Sequence, residues 1–167
     1  MNVIGFYSAG AAYGCFSNWY KCKFTLEGIE YTSTEQAMMY YKAMLFGDDI
    51  VARKILSTNN PSQIKAYGRQ VRNFNEAVWK SNRETIMFNC LLAKFSQNPE
   101  IAKVLLGTGR ALLCECSPSD RIWGIGIALE DEARWKDPRN WRGTNLLGAS
   151  LMAVREHLAT NMGTMPV

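Results

Sequence analysis

The sequence predicts an α+β fold: a single helix-rich domain over residues 1–160, built around a small β-sheet. Three observations point to it. The 167 residues are 47% hydrophobic and 20% charged, which suits one substantial core and leaves too little chain for two independent ones. Most of the apolar residues recur at the three-to-four spacing of a helix face. Alternating runs, the signature of strands, are short and few.

The elements follow in order. Val3–Tyr7 reads as a strand, and Lys23–Leu26 and Ile29–Tyr31 as a hairpin closed by Glu27-Gly28. Thr32-Ser33-Thr34-Glu35 opens a helix with Ala37, Met38, Tyr41, Met44 and Leu45 on its inward face, and Gly47 closes it. Asp48-Asp49 caps a short helix carrying Ile50, Val51, Ile55 and Leu56. Asn59-Asn60-Pro61 starts another, with proline at the first helical position and Gly68 at the end. The longest helix is Asn75–Phe95, with Val78, Trp79, Ile86, Cys90, Leu91 and Phe95 inward. Glu100–Leu106 is a further helix and Arg110–Cys116 a strand. Ser117–Arg142 reads as a long loop containing Trp123, Trp135 and Trp141, and tryptophans at that density argue for order and function. Asn145 starts the last helix, Leu146–Ala159, and the patternless residues from Thr160, with a tail over 161–167, are expected to fray.

Composition excludes several function classes. No apolar run approaches the roughly 20 residues that span a bilayer, and Met1–Gly10 carries no Lys or Arg, so neither a membrane partner nor a signal peptide is expected and the reading is cytoplasmic. Five cysteines without a C-x-x-C pair read as free thiols. Cys114 and Cys116 share one face of a strand without further ligands around them. His157 is the single histidine. Acid–base chemistry therefore falls to carboxylates, lysine, tyrosine or cysteine, and no metal or other cofactor is expected. The net charge of +4 is below that of a dedicated duplex binder. The dispersed Arg69, Arg72, Lys94, Arg121 and Arg142 fit either a solvated surface or several loops converging on one phosphate-bearing ligand.

Glu35 has two readings. In Thr32-x-x-Glu35 it completes a capping box on the Thr32 N–H; as a carboxylate at a helix start beside apolar side chains, it suits an acid or base in a cleft. Gly107-Thr108-Gly109 and Gly124-Ile125-Gly126 lack a full phosphate-loop pattern, and read first as a helix end and a turn. Phe16, Trp19, Trp79, Trp123 and Trp141 lie beside polar residues, where each can serve the core or stack on a flat base. Lys94 reads by pattern alone as a helix-surface lysine.

Phe16-Ser17-Asn18-Trp19, Thr34-Glu35-Gln36-Ala37, Tyr67-Gly68-Arg69, Ala93-Lys94-Phe95, Asp120-Arg121-Ile122-Trp123-Gly124-Ile125-Gly126 and Trp141-Arg142-Gly143-Thr144-Asn145-Leu146-Leu147-Gly148 resemble, in that order, the motifs of the NADAR superfamily of YbiA-like N-glycosidases. The resemblance runs from about Phe6 to Leu158. It departs at Gln36, where much of the family has histidine, so that position is not the essential acid–base group. The resemblance implies hydrolysis of an N-glycosidic bond on a phosphorylated ribosyl substrate of the riboflavin-intermediate type. Removal of ADP-ribose from guanine in a nucleotide or nucleic acid, and a non-catalytic module for ADP-ribose or NAD, stay open beside it. It carries over Glu35, Lys94 and Asp120 as catalytic candidates, and Asn18, Arg69, Trp79, Trp123, Gly124, Gly126 and Asn145 as substrate-binding ones. Lys94 is read either as a phosphate grip or as an amine forming a Schiff base with opened ribose.

Overall fold

The computed structural model describes residues 1–162. In chain order its elements are β1 (Val3–Phe6), β2 (Phe24–Leu26), β3 (Ile29–Tyr31), α1 (Thr34–Leu45), α2 (Asp49–Leu56), α3 (Pro61–Gly68), α4 (Glu76–Gln97), α5 (Pro99–Gly107), β4 (Leu112–Glu115), α6 (Glu132–Trp135) and α7 (Leu146–Met162). The fold is mixed α+β, as the sequence implies. Contacts divide the chain into two compact units, one of residues 18–98 and one of residues 1–17 with the chain from Pro99 onward. The expected small sheet is two separate pairs of strands.

In the unit of residues 18–98, β2 and β3 pair antiparallel with Phe24 opposite Tyr31. Both turn residues, Glu27 at φ 51° and Gly28 at φ 81°, take the left-handed conformation that matches strand twist in a two-residue hairpin. Gln97 of α4 closes the outer edge of β2, since its amide accepts from Thr25 N and donates to Thr25 O, each at 2.7 Å. Asp48, Asn60 and Asn75 cap α2, α3 and α4 with their side chains. Phe24, Tyr31, Ala37, Cys90 and Ala93 form the core of the hairpin, α1 and α4. Met44, Leu45 and Val78, expected inward, are exposed. Each lies in the first or last turn of its helix, so spacing identifies the face while the neighbouring element's end decides burial. At Gly68 a Cβ would stand 2.1 Å from Met39 Sδ. The missing side chain thus lets α3 approach α1 closely.

Asp48 ties α2 to the chain after α3. Its buried carboxylate accepts from Val51 N at 3.2 Å, from Arg72 N at 2.9 Å and from the Arg72 guanidinium at 3.3 and 3.4 Å.

In the other unit, β1 and β4 pair parallel, Val3 with Leu112 and Phe6 with Glu115. Parallel neighbours need a long crossover, which explains why this pair draws on distant segments while the hairpin is local. Val3, Cys114, Cys116, Ile125, Ile127 and Trp135 form its core cluster. The expected loop from Ser117 contains α6 and a 3-10 turn at Pro138–Asn140. Indole donors fasten it: Trp135 Nε1 to Leu129 O at 2.8 Å and Trp141 Nε1 to Trp135 O at 2.9 Å. Helix α7 continues through Thr160 to Met162, further than its sequence pattern indicates; the rest of the expected tail, 163–167, lies outside the described residues.

The Arg72 main-chain N–H, reinforced by its guanidinium and the Val51 N–H, draws the Asp48 carboxyl down to about 2. A depressed carboxylate contributes fully above its unfolded value of about 3.9 and loses that contribution as pH falls toward the folded value. In denaturant melts across pH, Asp48→Asn is expected to be less stable at pH 7 and to show a shallower loss between about pH 4 and pH 2. A wild-type slope in that window would contradict the assignment.

Candidate active site

The start of α1 sets the geometry around Glu35. Ser33 is the N-cap, and its Oγ accepts from Gln36 N at 3.1 Å. Gln36 Oε1 accepts from Thr32 N at 2.8 Å and Thr32 Oγ1 at 3.1 Å, while Nε2 donates to Ile55 O at 3.1 Å and Thr58 O at 2.9 Å. The cap therefore lies one residue later than Thr32-x-x-Glu35 predicts. Side chains two, three and four places into a helix point in different directions, and it is Gln36 that reaches back to Thr32. Glu35 is nevertheless only 6% exposed, and its N–H donates to Asn18 O at 3.0 Å.

Asn18 Oδ1 and Thr34 Oγ1, beside Glu35 through that bond and through the chain, are buried without a hydrogen-bond partner among the described residues. Native proteins satisfy nearly all such atoms, so these two are hydrogen-bonding capacity beside a buried carboxylate.

Lys42, which sequence reasoning missed, lies on the same helix as Glu35. It follows Glu35 by seven residues, two helical turns, so both project from one face of α1. That spacing was the available signal. Lys42 Nζ donates to Gly68 O at 2.9 Å and lies 5.6 Å from the Trp79 ring centroid. Burial pushes the Lys42 ammonium's pKa down; Glu35 and Glu76 oppose that shift and Arg69 adds to it. Gly68 and Trp79 thus meet at one lysine. Trp79 is buried at 7% exposure, whereas Arg69 is exposed.

Lys94, expected by pattern on the surface of α4, is fully buried. Its Nζ lies 5.5 Å from the Tyr20 ring and 5.2 Å from the Phe95 ring. Its charge is felt by Cys22, whose thiol is pushed up by burial and partly restrained by Lys94. Residues 18–22 thus meet Glu35 at Asn18 and Lys94 at Tyr20. A buried carboxylate and a buried lysine served by the same short segment can stabilise developing charge and move protons.

Asp120, Trp123, Gly124, Gly126 and Asn145 belong to the other unit. Asp120 Oδ1 accepts from Ile122 N and Trp123 N, both at 2.9 Å, and its own N–H donates to Ser117 Oγ. The motif's regularity here reflects an aspartate-built turn. Trp123 is half-buried beyond it. A Cβ on Gly124 would stand 2.9 Å from Asp120 O and 3.0 Å from Glu115 O. Gly126, at φ 70°, lies where a Cβ would meet Arg121 Cγ and Arg142 Cβ, each at 3.2 Å, so it brings those two arginines together. Asn145 bridges α7 to β4, donating to Leu113 O at 2.9 Å and accepting from Glu115 N at 3.1 Å. Cys114 and Cys116 share one buried face, with Sγ atoms 3.8 Å apart. His157 lies exposed on α7 beside Asn161. Among the described residues no group of three His, Cys, Asp or Glu side chains is placed to hold a metal.

If Asp120 builds the turn, Asp120→Asn keeps the accepting oxygen and should retain both melting temperature and turnover, while Asp120→Ala lowers the melting temperature. A folded Asp120→Asn protein with turnover reduced about a hundredfold or more would instead make it an acid–base group.

The NADAR domain profile matches residues 5–159. An N-glycosidase of Acanthamoeba polyphaga mimivirus is 43% identical over 146 residues, covering 84% of this chain and 85% of that protein. The N-glycosidase YbiA of Escherichia coli K12 is 31% identical over 157 residues, 94% of this chain and 89% of that one. The NMR structure of E. coli YbiA superposes with a TM-score of 0.81 at 29% identity, covering 99% of this chain and 90% of its own. A profile spanning nearly the whole chain, relatives of matching length and a shared fold agree: this chain belongs to the NADAR domain family.

Proposed function

We propose that the protein is an N-glycosidase that hydrolyses the bond between the anomeric carbon of a phosphorylated ribosyl group and a nitrogen base, with Glu35 as its principal catalytic carboxylate. The observation that carries this reading is the separation of tasks at the start of α1. Ser33 and Gln36 close the helix terminus, and the buried Glu35 lies beside them next to the polar side chains of Asn18 and Thr34. The names of the relatives supply the bond type, and the phosphorylated ribosylaminopyrimidine class follows from the motif resemblance.

In the proposed reaction the C1–N bonding pair departs with the base nitrogen, leaving positive charge shared by C1 and the ring oxygen. Ionised Glu35 stabilises that charge. Water then adds to C1 and gives its proton to the carboxylate, which passes it to the departing nitrogen and is thereby regenerated. Asn18 and Thr34 offer the hydrogen bonds that orient sugar hydroxyls, and Arg69 offers charge for the phosphate. Full burial among aromatic rings makes Lys94 a poor peripheral phosphate grip, whereas Schiff-base chemistry uses a lysine held inside a site. It therefore fits the Schiff-base role with ring-opened ribose better.

Glu35→Gln and Glu35→Ala are each expected to lower kcat by at least about a hundredfold on a phosphorylated ribosylaminopyrimidine, with release of base and sugar followed by chromatography. Melting temperature should change little. A capping role predicts the reverse, a stability loss of about 1 kcal/mol with turnover intact, and a non-catalytic module predicts no product from the wild type.

A further inference from the structure

Helix α4 carries an arginine on its inward face. Arg83 follows Trp79 and precedes Met87 by one turn each, and both of those side chains are buried, so the spacing puts all three on one face. Arg83 itself is half-buried. Its Nε is buried and has no hydrogen-bond partner among the described residues, and among them its guanidinium takes part in no ion pair. Elsewhere in the chain Asp48 meets Arg72, Asp131 meets Arg134 and Asp137 meets Arg139.

Packing sets Arg83 along the helix that carries Glu35. Ala37 of α1 shares a core cluster with Cys90 and Ala93 of α4, while Lys42, further along α1, has its Nζ 5.6 Å from the ring of the earlier Trp79. The two helices therefore run antiparallel. Arg83 lies between Trp79 and Cys90 on α4, alongside the stretch of α1 from Ala37 to Lys42, and Glu35 is in the turn that opens that stretch. Lys94, three turns beyond Arg83, is on the same face of α4.

An arginine that only covers apolar surface with its stem keeps its polar head in water; here Nε is inside. Desolvating part of a guanidinium is costly unless an anion and hydrogen bonds answer it. The planar fork of N–H donors matches the oxygens of a phosphate. A desolvated donor of this kind also penalises a substrate that lacks the matching group, because the donor then stays unpaired.

We propose that Arg83 is a specificity-determining residue, which makes the protein prefer a ribosyl group bearing a phosphate over the same group without one. The inference rests on the glycosidase reading for the identity of the substrate, whereas binding of a sugar phosphate at Arg83 does not depend on turnover. Arg69 offers its charge from an exposed position; Arg83 donates from a packed helix face, where a lower effective dielectric strengthens the contact.

Two measurements on the full chain test it. In calorimetric titration the wild type should bind ribose 5-phosphate. Arg83→Met, which keeps an unbranched stem and removes the charge, should weaken that binding by about 10- to 150-fold, the range to which hydrogen bonds to a charged group convert. Arg83→Gln carries the same expectation, and Arg83→Lys should recover part of the loss. Without ligand, Arg83→Met should melt at or above the wild-type temperature, because the unanswered donor leaves with the guanidinium. In turnover, Arg83→Met should lower kcat/KM for a ribosylaminopyrimidine 5′-phosphate by a similar factor, through KM, and leave kcat/KM for the unphosphorylated ribosylaminopyrimidine unchanged. A wild type that does not bind ribose 5-phosphate, folded variants that bind it as the wild type does, or an equal fall in kcat/KM for both substrates would overturn the proposal. No product from either substrate in the wild type would refute the glycosidase reading and leave the ribose 5-phosphate titration to decide the role of Arg83.

Discussion

The hydrogen bonds of the Gln36 amide are the constraint on which the candidate site depends. One side-chain oxygen holds the start of α1 through Thr32, and one nitrogen holds the last turn of α2 and the chain two residues past its end through Ile55 and Thr58. The amide is almost completely buried, where unmatched polar groups each cost about 1–3 kcal/mol. Such a hub fixes the direction in which α1 leaves the hairpin, and hence where Glu35 and Lys42, two turns apart, project. Histidine at this position could not donate to two carbonyls and accept two bonds at once; the family departure at Gln36 has a structural meaning in this chain.

Several other polar residues hold main chain at points where packing alone would leave latitude. Asp48 joins α2 to the connection that carries Arg69, Arg72 and Phe74. Asn145 joins α7 to the β4 edge, and Asp120 folds the turn before Trp123. Motif residues in this chain therefore divide into those that build loops and those that remain for chemistry. Repeated occurrence beside one another in the sequence does not distinguish the two.

Much of this was legible before any coordinates. Proline and asparagine at the start of α3, Gly47 after α1 and the Glu27-Gly28 turn act through local backbone rules, and they place those boundaries closely. The sequence was less informative where a partner distant in the chain decides the outcome. Lys94 looks like a surface lysine because its helix neighbours are mixed, and only Tyr20, far away in sequence, shows it to be buried among rings. Lys42 carries no motif; its surroundings come from Gly68, Phe74 and Trp79, which meet it only once α1, α3 and α4 are packed. The cap of α1 was displaced by one residue because Thr32 and Ser33 are chemically equivalent as caps, and the far ends of the Gln36 bonds, at Ile55 and Thr58, break the tie.

The central claim is that Gln36 holds the Thr32 end of α1. Native-state amide hydrogen exchange at Thr32 tests it most directly. The account predicts that Thr32 stays protected in Glu35→Gln and loses protection in Gln36→Ala; loss of Thr32 protection in Glu35→Gln, with Gln36→Ala unchanged, would contradict it.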